Sequence, residues 1–264
     1  FDLGAGTLAI DIGSNDGVML EALRAQGLSI LGVDPAREIA REANERGLTT
    51  EIGFFTSELA ARLEAKYGKA SLITANNVFA HSDALADIAD GVSALMAPEG
   101  VFVFEVSYLV DVYEKNLFDT IYHEHLAYHT VTPLVPFFRA HGLEVFDAER
   151  IGTHGGSVRV FVQRANGPWP HGPGLGEALE RERELGLFDP ATFRDWEARI
   201  NRQGEHLKAE IEKLVAAGKR VAGFGAPAKA TTLMHQFGIG AELVEYIVDD
   251  SPWKQGLFSP GLHI

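Results

Sequence analysis

Residues 118–129 read Phe-Asp-Thr-Ile-Tyr-His-Glu-His-Leu-Ala-Tyr-His and place Tyr122, His123, Glu124, His125 and His129 within eight positions. Tyr122 and His125 are three apart, so one helical turn points both in the same direction. Such a pair suits proton removal beside a carbonyl: the imidazole takes the proton and the phenol donates to the oxygen on which charge develops. Glu124 stands where it can orient a histidine or bind a substrate hydroxyl or amine. Two other readings stay open. His125 and His129 have the i,i+4 spacing of helical metal ligands, but H-E-x-x-H is absent and further ligands must come from elsewhere. A plain surface turn is the third reading. Against it stand Leu117, Phe118, Ile121 and Leu126, which predict a buried segment whose polar groups need partners or a task.

A second cluster is built on glycine. Asp11-Ile12-Gly13-Ser14-Asn15-Asp16-Gly17 follows a β-rich run, and the next such run ends Gly32-Val33-Asp34. A glycine turn between strand and helix lets a ligand approach the backbone, and the helix N-terminus offers unpaired N–H groups. An acid at the tip of the second strand can accept hydrogen bonds from a ribose diol. The dinucleotide fingerprint G-x-G-x-x-G is not present; Asp16 lies inside the loop and would repel a pyrophosphate. A cationic or zwitterionic nucleoside such as S-adenosylmethionine fits instead, with Asp11, Gly13, Asn15, Asp16, Gly17 and Asp34 as its candidate contacts. A tight turn with Asp34 as a mere cap is the structural alternative. Asn76 and Asn77 follow another predicted strand, where residues face the ligand crevice of an open sheet; an Asn-rich turn explains them equally.

Two further sites are candidates for substrate. Gly223-Phe-Gly225-Ala-Pro-Ala-Lys229 reads as a strand, a turn and a helix N-terminus with a lysine, an arrangement that holds anions. His154-Gly155-Gly156-Ser157-x-Arg159 opens a predicted strand, and His154, Gly155, Ser157 and Arg159 can line a pocket there. Ordinary turn chemistry is the alternative for both.

The elements that must carry these groups alternate. Strands are predicted at 7–13, 29–35, 71–75 and 101–107, with helices at 18–27, 36–47, 56–68 and 84–100 between and after them. Residues 108–141 read as irregular, and 142–151 with 157–164 read as a hairpin. The pattern predicts an α/β fold with a doubly wound, mostly parallel sheet and an antiparallel edge. Asn166-Gly-Pro-Trp-Pro-His-Gly-Pro-Gly-Leu-Gly176 marks a linker. Residues 177–217 read as charged helix broken at Asp189-Pro190, and 219–264 as the opening strand–helix–strand of another α/β unit. The start at Phe1 and the stop at Ile264 lead to the expectation of a segment of a longer protein.

Composition narrows the function. The 264 residues carry 23 Lys and Arg against 37 Asp and Glu, a formal charge of −14 that disfavours binding to nucleic acid or to an anionic membrane. There is no cysteine, so thiolate catalysis and Cys-based zinc sites are excluded within these residues. No apolar run reaches the length of a membrane span, and no secretory signal opens the chain; a cytoplasmic protein is expected. The oligomeric state is not legible, and a monomer fits.

Taken in order, DIGSNDG, GVDPA, NNVFAH, FEVSYL, DTIYHEHLAY, HGGSVRVFV and GFGAPAKATTL resemble the sugar C-methyltransferases that act on nucleotide-linked 4-keto-deoxysugars, notably the dTDP-sugar 3-C-methyltransferases of antibiotic pathways. The resemblance implies a class I methyltransferase domain at 1–165 that binds S-adenosylmethionine and releases S-adenosylhomocysteine. It further implies a linker with helices at 166–218 and a partial, sugar-nucleotide-binding Rossmann-like domain at 219–264. By motif position it makes His125 the base, Tyr122 the partner of the 4-keto oxygen, and Glu124 and His81 parts of the sugar pocket, with no metal in this segment. The family usually has an N-terminal cysteine-rich zinc domain and a full C-terminal domain; the first is missing here and the second is cut short. Competing functions are methylation of a non-sugar ketone, a nicotinamide-dependent oxidoreductase, and a non-catalytic nucleoside-binding module.

Overall fold

The computed structural model describes Phe1 and residues 3–264. The chain forms two compact units, one of Phe1–Leu109 with Leu126–Glu184 and one of Val110–His125 with Leu185–Ile264.

The first unit holds β1 (Leu8–Ile12), α1 (Val18–Ala25), β2 (Ser29–Asp34), α2 (Arg37–Glu45), β3 (Thr50–Ile52), α3 (Ser57–Tyr67), β4 (Ala70–Asn76), α4 (Leu85–Leu95) and β5 (Met96–Ser107). Its sheet runs β3-β2-β1-β4-β5 and continues through β7 (Ser157–Arg164) to β6 (Leu143–Ile151). The first five strands are parallel; β7 is antiparallel to both β5 and β6. The doubly wound sheet with an antiparallel hairpin edge is therefore the architecture the alternation predicts. Strand order reverses between β1 and β4, and ligands of open α/β sheets bind outside the carboxyl ends of the strands at such a point.

Near-continuous apolar runs make these strands, because both faces of a parallel sheet are covered. Ala9, Ile10, Ile73, Ala75, Phe102 and Phe104 are fully buried. Under the carboxyl ends of β4 and β5, Phe79 stacks on Phe104 at 4.5 Å and lies 6.1 Å from Phe138, so aromatic packing supports the ligand edge. The start of α3 is locally encoded: the Thr56 hydroxyl caps it by accepting from Leu59 N at 3.1 Å.

Four features depart from the sequence reading. The edge strand β3 was not anticipated. Helix α4 ends at Leu95, and Met96–Gly100 already belong to β5. Residues 108–141 are not irregular, since α5 (Leu109–Glu114) and α6 (Val131–Ala140) lie there. Pro133 and Pro136 mask α6, although Pro133 sits in the first turn, where a missing N–H costs nothing. Finally, α7 (Pro173–Glu184) starts inside the Pro/Gly-rich stretch, its first turn packed so closely on β6 that a Cβ on Gly174 would meet the Ala148 carbonyl oxygen at 1.9 Å.

The second unit contains α8 (Pro190–Ala216), β8 (Ala222–Phe224), α9 (Ala228–Phe237) and β9 (Tyr246–Val248), with β8 and β9 parallel. Asp189 caps α8 by accepting from Ala191 N at 2.8 Å, and Pro190 occupies the first turn, which explains the break read at this dipeptide. Met234, Ile239, Leu243 and Val244 form its core. Segment 110–125 packs here: Phe118 lies 5.1 Å from Phe237, and Trp196 Nε1 donates to Asn116 Oδ1 at 2.7 Å.

Candidate active site

The first-unit site is built by the turns that follow β1, β2 and β4. Gly13 and Gly17 have φ of 71° and 85°, the left-handed region that favours glycine. A side chain at either position would also collide, Gly13 with Val78 Cγ2 at 2.6 Å and Gly17 with Leu48 Cδ1 at 2.5 Å. The turn after β1 and the turn after β4 are thus in contact through Gly13 and Val78. Asn15 and Asn77 also sit left-handed, at φ 49° and 56°, where Asn is tolerated because its short polar side chain bonds locally. Asn77 N donates to Glu105 O at 2.8 Å, which fixes this turn on β5.

Asp34 closes the loop. Its Oδ2 accepts from Asn15 N and its Oδ1 from Ala36 N, both at 2.8 Å. An ionised carboxylate offers about four acceptor sites, so capping of the loop leaves capacity for a ribose diol. Asp11 is buried within β1 and accepts from Thr74 Oγ1 at 2.6 Å. Burial pushes its carboxyl up to about 6, a rise opposed by the Thr74 hydrogen bond and reinforced by nearby Asp34. Asn15 and Asp16 are exposed, and Arg46 Nη1 donates to the Asp16 carbonyl at 2.7 Å. A turn with no room for a Cβ at Gly13 or Gly17 and with Asp11, Asp16 and Asp34 in or beside it suits a cationic nucleoside and not a diphosphate. Asn76 is half-buried at the end of β4, and His81 is exposed at the end of the short 3-10 turn Phe79–His81.

The histidine-rich segment is divided. Residues 121–129 hold no helix; Tyr122–His125 instead form a turn closed by His125 N donating to Tyr122 O at 3.1 Å. The two rings still come together, with centroids 4.6 Å apart. His125 Nδ1 is 2.7 Å from the Thr120 carbonyl oxygen, which only accepts. Nδ1 therefore carries the proton of the neutral ring, and Nε2 is its basic nitrogen. Burial, reinforced by the Glu124 charge, raises the Tyr122 phenol, so it stays a protonated donor. Glu124 is exposed, 4.0 Å from His123. The expected burial of the segment does not occur throughout, since Ile121 is 47% and Leu126 57% exposed. His129 lies in the first unit, buried, with its ring bonded to the Phe79 carbonyl and lowered by desolvation. Among the described residues no group of three or more His, Asp or Glu side chains is arranged to hold a metal ion.

The stretch 154–159 is held from within. The Ser157 hydroxyl, fully buried, donates to Thr153 O at 3.1 Å. Arg159 pairs with Glu105 at 3.2 Å and Glu149 at 3.3 Å, and Thr153 Oγ1 donates to Glu105 at 2.6 Å. His154 is exposed and takes φ 52° ahead of Gly155 at φ 91°. Because β7 is antiparallel to β5, this turn lies at the same sheet edge as Ser107.

In the second unit the turn after β8 repeats the layout of the first. Gly225 N donates to Val248 O at 2.7 Å, and Asp249 Oδ2 accepts from Ala226 N at 2.7 Å. Lys254 Nζ lies 3.4 Å from Asp249 and donates to Ala226 O at 3.0 Å, while half-buried Lys229 stands in the first turn of α9. A cavity of about 480 Å³ opens beside this turn, lined in part by Ala226, Thr231, Asp249, Lys254 and Phe258. Asp249 was missed by sequence reasoning, although Val248-Asp249 ends a strand as Val33-Asp34 does. Glu105 was missed as well, because only the pairing of β5 with β7 brings it to Arg159.

The strand order, the glycine turn and the acid at the tip of β2 define the class I, S-adenosylmethionine-dependent methyltransferase fold. Residues 5–148 match the family described as methyltransferase domain, and residues 152–264 match the family described as C-methyltransferase C-terminal domain. The chain belongs to the methyltransferase domain family. C-methyltransferase NovU of Streptomyces niveus is 38% identical over 259 residues, 98% of this chain and 62% of NovU. The chain thus spans 62% of the length of that curated relative. Among solved structures, the methyltransferase complexed with the Haloferax volcanii Trm112 activator aligns over 62% of this chain and 85% of its own, with TM-score 0.50 and 16% identity. Magnesium protoporphyrin IX methyltransferase of Synechocystis PCC 6803 with bound SAH covers 61% and 75%, at TM-score 0.48 and 15% identity.

Proposed function

We propose that this chain is the catalytic part of an S-adenosylmethionine-dependent C-methyltransferase acting on a nucleotide-linked 4-keto-deoxysugar in the cytoplasm, with C3, next to the ketone, as the methylated carbon. The observation that carries this reading is the Tyr122–His125 turn, in which a phenol and an imidazole with a basic Nε2 lie side by side. His125 Nε2 takes the proton from the carbon beside the ketone. The electrons of that C–H bond move into the enolate, whose oxygen accepts from the Tyr122 hydroxyl. The carbon then forms its new bond to the methyl group, which the bound donor supplies from a sulfonium, leaving S-adenosylhomocysteine.

Asp11, Gly13, Asn15, Asp16, Gly17, Asp34, Asn76 and Asn77 would hold the donor. Glu124 and His81 would complete the sugar pocket together with the His154, Gly155, Ser157 and Arg159 stretch. Gly225 and Lys229 would receive the diphosphate. The acid-rich turn after β1 supports a cationic ligand, and the lysines at the turn after β8 support an anionic one. Acid–base assistance contributes about 10²–10⁴ in rate and an oxyanion donor about 10²–10³; positioning supplies the rest.

The test is incubation of the protein with labelled methyl donor and a panel of dTDP-4-keto sugars. Label in the sugar, at the carbon beside the ketone, is the expected result. Label only in a non-sugar ketone, or tight binding of NADH in place of S-adenosylmethionine, would overturn the assignment.

A further inference from the structure

Glu182 lies in α7, outside every motif described above, yet it is fully buried. Its Oε1 accepts from Val131 N at 2.5 Å and from the Tyr108 hydroxyl at 2.8 Å. Its Oε2 accepts from Thr132 N at 2.9 Å and from Thr132 Oγ1 at 2.6 Å. Four donors fill the acceptor sites of one carboxylate, and charge-assisted bonds of this kind are the strong ones. Val131 and Thr132 open α6, whose N-cap residue Thr130 makes no side-chain cap bond. The carboxylate of α7 therefore caps α6 from outside, at the end of a helix that favours negative charge.

These partners follow the path of the chain. The segment carrying Tyr122 and His125 leaves the first unit after Leu109 and rejoins it at Leu126, and the chain leaves again after Glu184. Tyr108 stands just before the first crossing, Val131 and Thr132 just after the second, and Glu182 just before the third. The two ends of the segment are also joined directly, because Tyr108 bridges to His129 and Leu109 N donates to His129 O at 2.9 Å. Leu126 N donates to Ala80 O at 2.7 Å, which holds the returning end on the turn after β4. Glu182 belongs to the region matched as C-methyltransferase C-terminal domain, whereas its partners belong to the region matched as methyltransferase domain.

We propose that Glu182 is a positioning residue: by tying together the residues that flank segment 110–125, it holds the two ends of that segment and with them the conformation of the Tyr122–His125 turn. This inference rests on the reading of His125 as the base. Replacing Glu182 by glutamine keeps size and shape but turns one acceptor oxygen into a donor that faces donors, whereas Tyr108→Phe removes one hydrogen bond only.

The experiment combines amide hydrogen exchange on the ligand-free protein with steady-state methyl transfer to a dTDP-4-keto sugar. For Glu182→Gln, exchange at Leu109, Leu126, Val131 and Thr132 should quicken about tenfold or more while β1 and β4 stay protected. Its kcat should fall about 10- to 100-fold, with the KM for the methyl donor changed less than about twofold. Tyr108→Phe should move both readouts the same way by a smaller factor, which keeps the test decisive if Glu182→Gln does not fold. Unchanged exchange at the four amides, or faster exchange with unchanged kcat, would overturn the proposal. If the unsubstituted protein methylates no keto sugar while Glu182→Gln still loosens these amides, the substrate reading fails and the structural tie stands alone.

Discussion

The turn after β1 and the turn after β8 are built alike and charged differently. In each, a glycine N–H donates to the end of the neighbouring parallel strand, Gly13 to Val33 at 2.8 Å and Gly225 to Val248 at 2.7 Å. In each, an acid at the tip of that strand, Asp34 as the last residue of β2 and Asp249 just after β9, accepts from the loop and from its own backbone two residues on. Asp34 takes Asn15 N and Ala36 N, both at 2.8 Å; Asp249 takes Ala226 N at 2.7 Å and Ser251 N at 2.9 Å. What separates them is the surrounding charge. The first turn has Asp16 in the loop and Asp11 buried two residues before Gly13. The second has Gly223 at the matching position, Lys229 in its helix and Lys254 3.4 Å from Asp249. One backbone device thus stands in two charge settings, and in the proposed function the side chains around it decide which ligand each turn takes.

Asp11 gives the sharpest way to break the comparison, since the second turn has no buried acid there. Its carboxyl is raised from 3.8 to about 6, so ionising it costs more in the folded chain than in the unfolded one. The stability it permits is complete below about pH 4 and declines as pH rises through 6, by about 3 kcal/mol at most. Asp11→Asn should remove that decline, measured as the difference between wild-type and variant urea-unfolding free energies at pH 4 and pH 7.5. A difference that does not change with pH would remove Asp11 as the special feature of the first turn.

The paired substitution comes next in size. Asp34→Ala should weaken S-adenosylmethionine binding about 10- to 100-fold and leave the sugar-nucleotide KM nearly unchanged. Asp249→Ala should do the reverse. Calorimetry and kinetics on both variants would erase the distinction if each lost both ligands equally. The smallest effect is expected of Lys229→Ala, a rise of a few-fold in sugar-nucleotide KM that shrinks as salt is added; no change would leave Lys229 without a phosphate role.

Much of this was readable from local pattern. Strand–helix alternation carried the sheet, and Gly13-Ser-Asn-Asp-Gly17 followed by Val33-Asp34 located the first turn because each of the two signals spans only a few residues. The second acid repeated that signal and passed unseen only because β9 is three residues long inside a longer apolar run. Glu182 was illegible for a different reason. Its helix reads as a charged, solvated face, and the donors that bury it lie 50 to 74 residues away in the chain. Exposed Ile121 and Leu126 teach the converse, that apolar character alone does not decide which side of a turn meets water.

The central claim is that His125 removes a proton from the carbon beside the ketone, with Tyr122 holding the enolate oxygen. It is tested most directly by following loss of deuterium from C3 of a dTDP-4-keto sugar in the presence of S-adenosylhomocysteine, where no methyl group can be transferred. The account predicts washout by the wild-type protein and a drop of about 10²–10⁴ in its rate for His125→Asn, with S-adenosylhomocysteine affinity unchanged. Washout by His125→Asn at the wild-type rate would contradict it.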